Sequence, residues 1–115
     1  MKIIHVDDDI GLLNTYKDLY DRERIEATIF TDPREVLIYL ENNELPDVLV
    51  TDQNMPFMLG TELARKAREK YHNLPILFLT GLPTSEMNFD NSLVLSKSAD
   101  YSCLINDIKY LTKER

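Results

Sequence analysis

Short apolar runs alternate along this chain with stretches of helical periodicity, and each run stops at a polar residue or a turn signal. Ile3 to Val6, Ile25 to Phe30, Val48 to Val50, Ile76 to Leu79 and Leu93 to Leu95 are too short for buried helices, and they read as strands. Continuous apolar runs, rather than alternating ones, suit parallel strands covered on both faces. Between them, Leu12, Leu13, Tyr16, Leu19 and Tyr20 share one helical face, with Lys17, Asp18, Asp21 and Arg22 on the other side. Val36, Leu37 and Leu40 give a second helix, Leu63, Ala64, Ala67 and Tyr71 a third, and Tyr101, Leu104, Ile105, Ile108 and Leu111 a closing one. Asp9 is placed to cap the first helix, and Asp32-Pro33 opens the second with proline at its first position. Asn42-Asn43 ends the second and Leu74-Pro75 breaks the third, while Asp100 and Lys113 suit the dipole of the last. Between Leu82 and Asn91, residues Pro83, Asn88, Asp90 and Asn91 disfavour a regular helix, so only a single turn around Ser85 to Phe89 is predicted. Strand–helix alternation of this kind implies a parallel sheet with helices on both faces and right-handed crossovers.

The length of 115 residues suits one domain, read here as residues 1–115, with no internal repeat, low-complexity tract or linker. Folding a chain of this size buries roughly two-thirds of its unfolded surface, enough for a core without staples. The net charge of −7 argues against a nucleic-acid-binding domain and is compatible with a bound cation. Cys103 is the sole cysteine, so no internal disulfide can form, which fits a reducing compartment. The apolar runs fall far short of a membrane span, and Asp7-Asp8-Asp9 stands where a signal peptide needs its apolar core. The expectation is a cytoplasmic protein with neither nucleic acid nor membrane as partner.

Four strand ends carry polar groups able to converge at one rim of such a sheet. They are Asp7-Asp8-Asp9 after the first strand, Asp52 after the third, Thr80 after the fourth and Lys97 after the fifth. In open α/β sheets that rim is where ligands bind. If the first and third strands are neighbours, about 4.8 Å apart, Asp8 and Asp52 can share one Mg²⁺. Carboxylates that close repel each other unless a cation sits between them. Thr80 would stand next to Asp52, and Lys97, one strand further, could reach it as a long flexible cation. This set suits phosphoryl transfer to a carboxylate, with Asp52 as nucleophile, Thr80 and Lys97 binding phosphoryl oxygens, and the metal neutralising charge. Each residue also has an ordinary role: acidic runs cap helices, Thr-Gly ends strands, and a loop lysine is usually solvated. The coincidence of four such residues at four strand ends favours chemistry over those roles.

Beyond the individual residues, the chain resembles a response-regulator receiver domain over essentially its whole length. The matching pieces are Ile3-Ile4-His5-Val6-Asp7-Asp8-Asp9, Pro46 to Pro56 around Asp52, Gly60-Thr61-Glu62-Leu63, Pro75 to Gly81, and Ser96-Lys97. The resemblance implies a flavodoxin-like (βα)5 three-layer sandwich with a five-stranded parallel sheet ordered 2-1-3-4-5, from which this chain's own residues depart in leaving the fourth helix short or degraded. It implies a phosphorelay receiver in two-component signalling, phosphorylated on Asp52 by a histidine kinase or phosphotransfer protein. It also implies Mg²⁺ held by Asp8, Asp52 and the backbone carbonyl of Asn54, with Asp7 assisting through water. Thr80 and Lys97 match the family's switch hydroxyl and lysine. Such a domain catalyses its own phosphorylation and dephosphorylation without being a turnover enzyme, signals to a downstream protein by conformational change, and is expected as a monomer or weak dimer.

The chain departs from the family's pattern in its reporting surface. Ser98 stands where proline usually follows the lysine, Val94 where an aromatic usually moves with the switch hydroxyl, and Leu59 where an aspartate usually precedes Gly60. The segment from Thr80 to Lys97 is also short. The chemical residues are all present, so phosphorylation is expected to be read out unusually. Two other readings compete: a receiver-shaped module that binds partners regardless of phosphorylation, and a small Mg²⁺-dependent phosphohydrolase using Asp7 and Asp9 as an Asp-x-Asp pair. In the second, Asp9 is better spent as a helix cap, and the chain lacks room for a domain to enclose a substrate.

Overall fold

The computed structural model describes residues 1–82 and 85–113. Its strands are β1 (Lys2–Val6), β2 (Glu26–Phe30), β3 (Val48–Thr51), β4 (Ile76–Thr80) and β5 (Ser92–Ser96). Its helices are α1 (Ile10–Arg22), α2 (Pro33–Asn42), α3 (Gly60–Lys70) and α4 (Tyr101–Thr112). All five strands run parallel in the order β2-β1-β3-β4-β5, which is the flavodoxin-like arrangement expected from the sequence. The described part of the segment between β4 and β5 forms one 3-10 turn, Ser85–Met87, so there are four regular helices rather than five among the described residues. Pro83, one of the residues arguing for that outcome, lies outside the described residues.

Local signals explain most boundaries. The Asp9 side chain accepts the Leu12 N–H at 3.1 Å, capping α1. Asp32 caps α2 by accepting the Arg34 N–H, and Pro33 supplies the pre-set first turn. Arg68, on α3, donates to the carbonyls of Leu74 and Asn91 and so ties α3 to the entry of both β4 and β5. Asp100 precedes α4, as expected, but its side chain makes no capping bond. Tyr101 departs from its expected buried place: it is 42% exposed, with its ring edge-on to that of Tyr16. Burial along α4 starts at Leu104, so the apolar stripe begins one turn into the helix.

Two apolar layers sandwich the sheet. Tyr16, Leu19 and Tyr20 from α1 and Leu104, Ile105 and Ile108 from α4 cover one face. Val36 and Leu40 from α2, Leu63, Ala64 and Ala67 from α3, and Met87 from the 3-10 turn cover the other. The central strands β3 and β4 are buried at every residue, which accounts for their uninterrupted apolar sequences.

His5 is a polar intrusion into the α1 face. Its ring stacks on Tyr16 at 4.8 Å between centroids, and Nδ1 lies 2.7 Å from the Tyr20 hydroxyl, while Nε2 has no hydrogen-bond partner among the described residues. Its role is packing, as expected; β1, however, is an inner strand and not an edge. Burial, reinforced by the positive charge of Lys97, holds the imidazole down at about 3. The unfolded chain binds a proton near pH 6.5 that the folded chain refuses, so His5 favours unfolding as pH falls. The stability linked to it is fully present above about pH 6.5 and is lost progressively toward pH 3. Between pH 6.5 and 4.5 the loss is about 2–3 kcal/mol. Denaturant unfolding of the wild-type chain should show this slope; His5→Leu should lack it, and parallel pH profiles would refute the assignment.

Candidate functional site

The rim at the C-terminal ends of β1, β3, β4 and β5 collects the polar residues. The connection leaving β1 goes to β2 on one side, whereas β3 lies on the other, so the gap between β1 and β3 is where the strand order reverses. Backbone pairing fixes both acids there. The Asp7 N–H bonds the Phe30 carbonyl at 3.1 Å, and the Asp52 N–H bonds the Val6 carbonyl at 3.2 Å.

The structure brings Asp7, Asp8 and Asp52 together, with one carboxylate oxygen from each within 4.8 Å of the others. Asp7 and Asp52 are 1% and 6% exposed, whereas Asp8 faces solvent. Lys97 crosses the end of β4 to reach them. Its Nζ lies 2.8 Å from Asp7 Oδ2 and 2.9 Å from Asp52 Oδ2. The Lys97 backbone is anchored by its own N–H to the Thr80 carbonyl at 3.0 Å. Thr80 is buried at the end of β4, with its hydroxyl accepting the Leu82 N–H rather than bonding Asp52. Asn54 is exposed in the loop after β3.

Burial drives the Asp7 carboxyl above the usual carboxylate range, although Lys97 and the Asp9 N–H on its Oδ1 pull the other way. For Lys97, burial opposes the charge, but the bonds and charges of Asp7 and Asp52 outweigh it and hold the ammonium above its ordinary value. The outcome is a buried acidic pair gripping one cation, with a third, solvent-facing carboxylate alongside. Asp9, the other member of the Asp-x-Asp pair considered above, is committed to the α1 cap.

Two locks hold the loop that follows Asp52, and neither was apparent from the sequence. Gln53, 4% exposed, accepts the Thr61 N–H at 2.8 Å and donates to the Thr61 hydroxyl at 3.1 Å. Its carbonyl also accepts the Gly60 N–H, so the start of α3 is bolted directly behind Asp52. Further along, the Met58 N–H bonds the Pro56 carbonyl, making a γ-turn with Phe57 at φ 75°. That sparsely populated conformation is held from outside: the Arg34 guanidinium, itself clamped by Asp32, lies 3.6 Å over the Phe57 ring centre.

Residues 3–109 match the family described as the response regulator receiver domain. The chain belongs to that family. Relatives and solved structures agree with it. A chemotaxis protein CheY homolog of Campylobacter jejuni is 35% identical over 83 residues, covering 70% of this chain and 64% of its own length. The DNA-binding transcriptional regulator NtrC of Proteus hauseri is 36% identical over 75 residues, covering 65% of this chain. The match takes up only 16% of NtrC, so this receiver domain corresponds to a small part of that relative. The receiver domain of the Francisella response regulator 1452 superposes with a TM-score of 0.84 at 26% identity, covering 98% of this chain and 97% of that one. The protein is thus a receiver domain of two-component response regulators, a family that is not one of turnover enzymes. Among the described residues, no helix is long and apolar enough to cross a membrane.

Proposed function

We propose that this receiver domain, read as residues 1–115, accepts a phosphoryl group on Asp52 from a histidine kinase or phosphotransfer protein in a Mg²⁺-dependent reaction. The observation that carries the reading is the Lys97 ammonium bridging the buried Asp7 and Asp52 beside the solvent-facing Asp8. The Gln53 N–H holds Asp52 Oδ1 at 2.7 Å, which leaves Oδ2, the oxygen facing Lys97, as the attacking atom. A lone pair of that oxygen forms the new O–P bond as the P–N bond of a phosphohistidine breaks, and the departing electron pair returns to the donor imidazole, which takes up a proton. Lys97 then passes from the carboxylate oxygen to a phosphoryl oxygen, a short swing for a flexible side chain. Thr80 turns its hydroxyl from Leu82 to another phosphoryl oxygen, and that exchange is the conformational signal.

Asp8 and Asp52 would hold the metal with the Asn54 carbonyl, and Asp7 would assist through water. The donor set is all oxygen and strongly anionic, which suits a hard divalent ion. When bound, Mg²⁺ neutralises charge on the transferring group and fixes its orientation. A module that only docked partners would have no use for two buried carboxylates held on an ammonium, an arrangement costly to bury. The downstream target is a protein rather than nucleic acid, the setting is cytoplasmic, and association is at most weak.

Incubation with a small phosphodonor such as acetyl phosphate and Mg²⁺ should add the mass of one phosphoryl group to the intact chain. Chelating the metal should prevent it. Mg²⁺ alone should raise the melting temperature, because it relieves the acidic crowding only in the folded state. A chain that stays unmodified with donor and metal, and melts identically with and without Mg²⁺, would refute the proposal.

A further inference from the structure

Leu59 stands at the N-cap of α3 with extended backbone, φ −70° and ψ 152°, but its side chain has no atom that can accept a hydrogen bond. A helix begun this way leaves the N–H groups of its first turn without partners. Here the missing acceptors come from Gln53, on the far side of the loop. Its backbone carbonyl accepts the Gly60 N–H at 2.9 Å, and its Oε1 accepts the Thr61 N–H at 2.8 Å. Its Nε2 donates to the Thr61 hydroxyl at 3.1 Å, so the amide is bonded at both ends. Gln53 and Thr61 are both buried.

The residue that caps α3 is also the neighbour of the phosphoacceptor. The peptide unit joining Asp52 to Gln53 is held at both of its polar groups. Its carbonyl accepts the Thr51 hydroxyl at 2.8 Å, and its N–H donates to Asp52 Oδ1 at 2.7 Å. The second bond is charge-assisted and therefore strong. It lies between adjacent residues, however, so it turns with the backbone and cannot by itself aim the carboxylate. Aim requires residue 53 to be anchored to a rigid element, and α3 is the element its side chain grips. We infer that the Gln53 side chain is a positioning residue for phosphoryl transfer: by capping α3 it fixes the Asp52–Gln53 peptide and so presents Asp52 Oδ2 to the donor. The inference rests on the reading of Asp52 as phosphoacceptor.

This role also accounts for an amide in the core. A buried amide costs stability unless its groups are hydrogen-bonded. An apolar residue at 53, with an ordinary serine or aspartate cap at 59, would serve α3 alone more simply. That arrangement would lose only one thing, the tie between the helix and the nucleophile. The two functions of Gln53, capping and aiming, can therefore be separated by restoring the cap locally.

Gln53→Met removes the side-chain bonds and nearly keeps the volume. Leu59→Ser gives α3 a local cap able to take the Thr61 N–H, at a position that is 42% exposed. In the double variant Q53M/L59S the melting temperature should recover most of what Q53M loses. Phosphorylation by acetyl phosphate and Mg²⁺, measured well below the lowest melting temperature, should not recover. Its saturating rate should stay about tenfold or more below wild type, with the half-saturating donor concentration little changed. L59S alone should match wild type in rate. The amide proton of residue 53, drawn downfield by the carboxylate in wild type, should move upfield in the double variant. In wild type the Thr61 amide should exchange slowly with solvent, a measurement that needs no variant. A double variant with wild-type rate would leave Gln53 a structural cap and overturn the inference. So would rapid exchange at Thr61, or a rate loss already complete in L59S. A wild-type chain that takes no phosphoryl group would instead refute Asp52 as the acceptor, and the inference would fall with that reading.

Discussion

Asp52→Asn should leave the chain folded and unable to accept a phosphoryl group. The substitution keeps the side chain's shape and removes only the charge and the nucleophilic lone pair. Intact-mass measurement with acetyl phosphate and Mg²⁺ should show no phosphorylated species under conditions that modify wild type, a loss on the order of a thousandfold or more, as expected when a nucleophile is removed. Stability should change little, because three features absorb the change. Lys97 keeps Asp7 as its partner at 2.8 Å. The Gln53 N–H keeps an acceptor if the amide oxygen takes the place of Oδ1. The repulsion between Asp52 and Asp7, one of the influences raising the Asp7 carboxyl, disappears. Among the described residues, Asp7 and Asp8 are the only other acids in the cluster. Asp7 is closed off by Lys97 and the Asp9 N–H, and Asp8 stands in water without an ammonium beside it. Retained phosphorylation of D52N would therefore mean that one of these two is the acceptor and that the roles assigned here are wrong.

What the sequence disclosed and what it withheld divide along a physical line. Strand runs, the Asp9 and Asp32 caps and the missing helix after β4 follow from local rules, in which period, capping chemistry and helix breakers act over a few residues. The meeting of Asp7, Asp52 and Lys97 became legible once parallel strands were inferred, because parallel strands bring all their C-terminal ends to one rim. The share of each acid was harder to see. A spatial argument from adjacent strands pairs Asp8 with Asp52, yet Asp7 is the acid held directly by Lys97. Alternation contains the clue: Ile3, His5 and Asp7 lie on the same side of β1, and the first two are buried against the α1 face. The locks could not be read at all. Gln53 with Thr61, and Arg34 with Phe57, join residues whose separations match no helix or strand period. Neither a buried glutamine nor a phenylalanine at positive φ has a sequence signal, since each exists only because surrounding structure overrides an intrinsic preference.

Those locks give the second large effect, which falls on Gly60. A methyl group there would stand 2.1 Å from the Asp52 carbonyl oxygen and 3.0 Å from its carbon, with the Gln53 Cα at 3.1 Å. All three are backbone atoms, so no side chain can rotate away. Either α3 or the Asp52 loop has to move, and the Gly60 N–H bond to Gln53 and the Gln53–Thr61 pair are then strained or lost together. Overpacking costs about 1–3 kcal/mol, and each lost buried hydrogen bond about 1 kcal/mol more, so Gly60→Ala should cost at least 3 kcal/mol. In a domain of this size that lowers the melting temperature by about 10 °C or more. Because the clash is with the nucleophile's own backbone, G60A should also slow phosphorylation under conditions where it remains folded. Gly81→Ala supplies the contrast: an added methyl there meets nothing within 4 Å, and its stability should stay within about 0.5 kcal/mol of wild type. If G60A and G81A melted alike, the close packing of α3 behind Asp52 would not be what positions the acceptor, and the loop would have to be held by Arg34 and Phe57 alone.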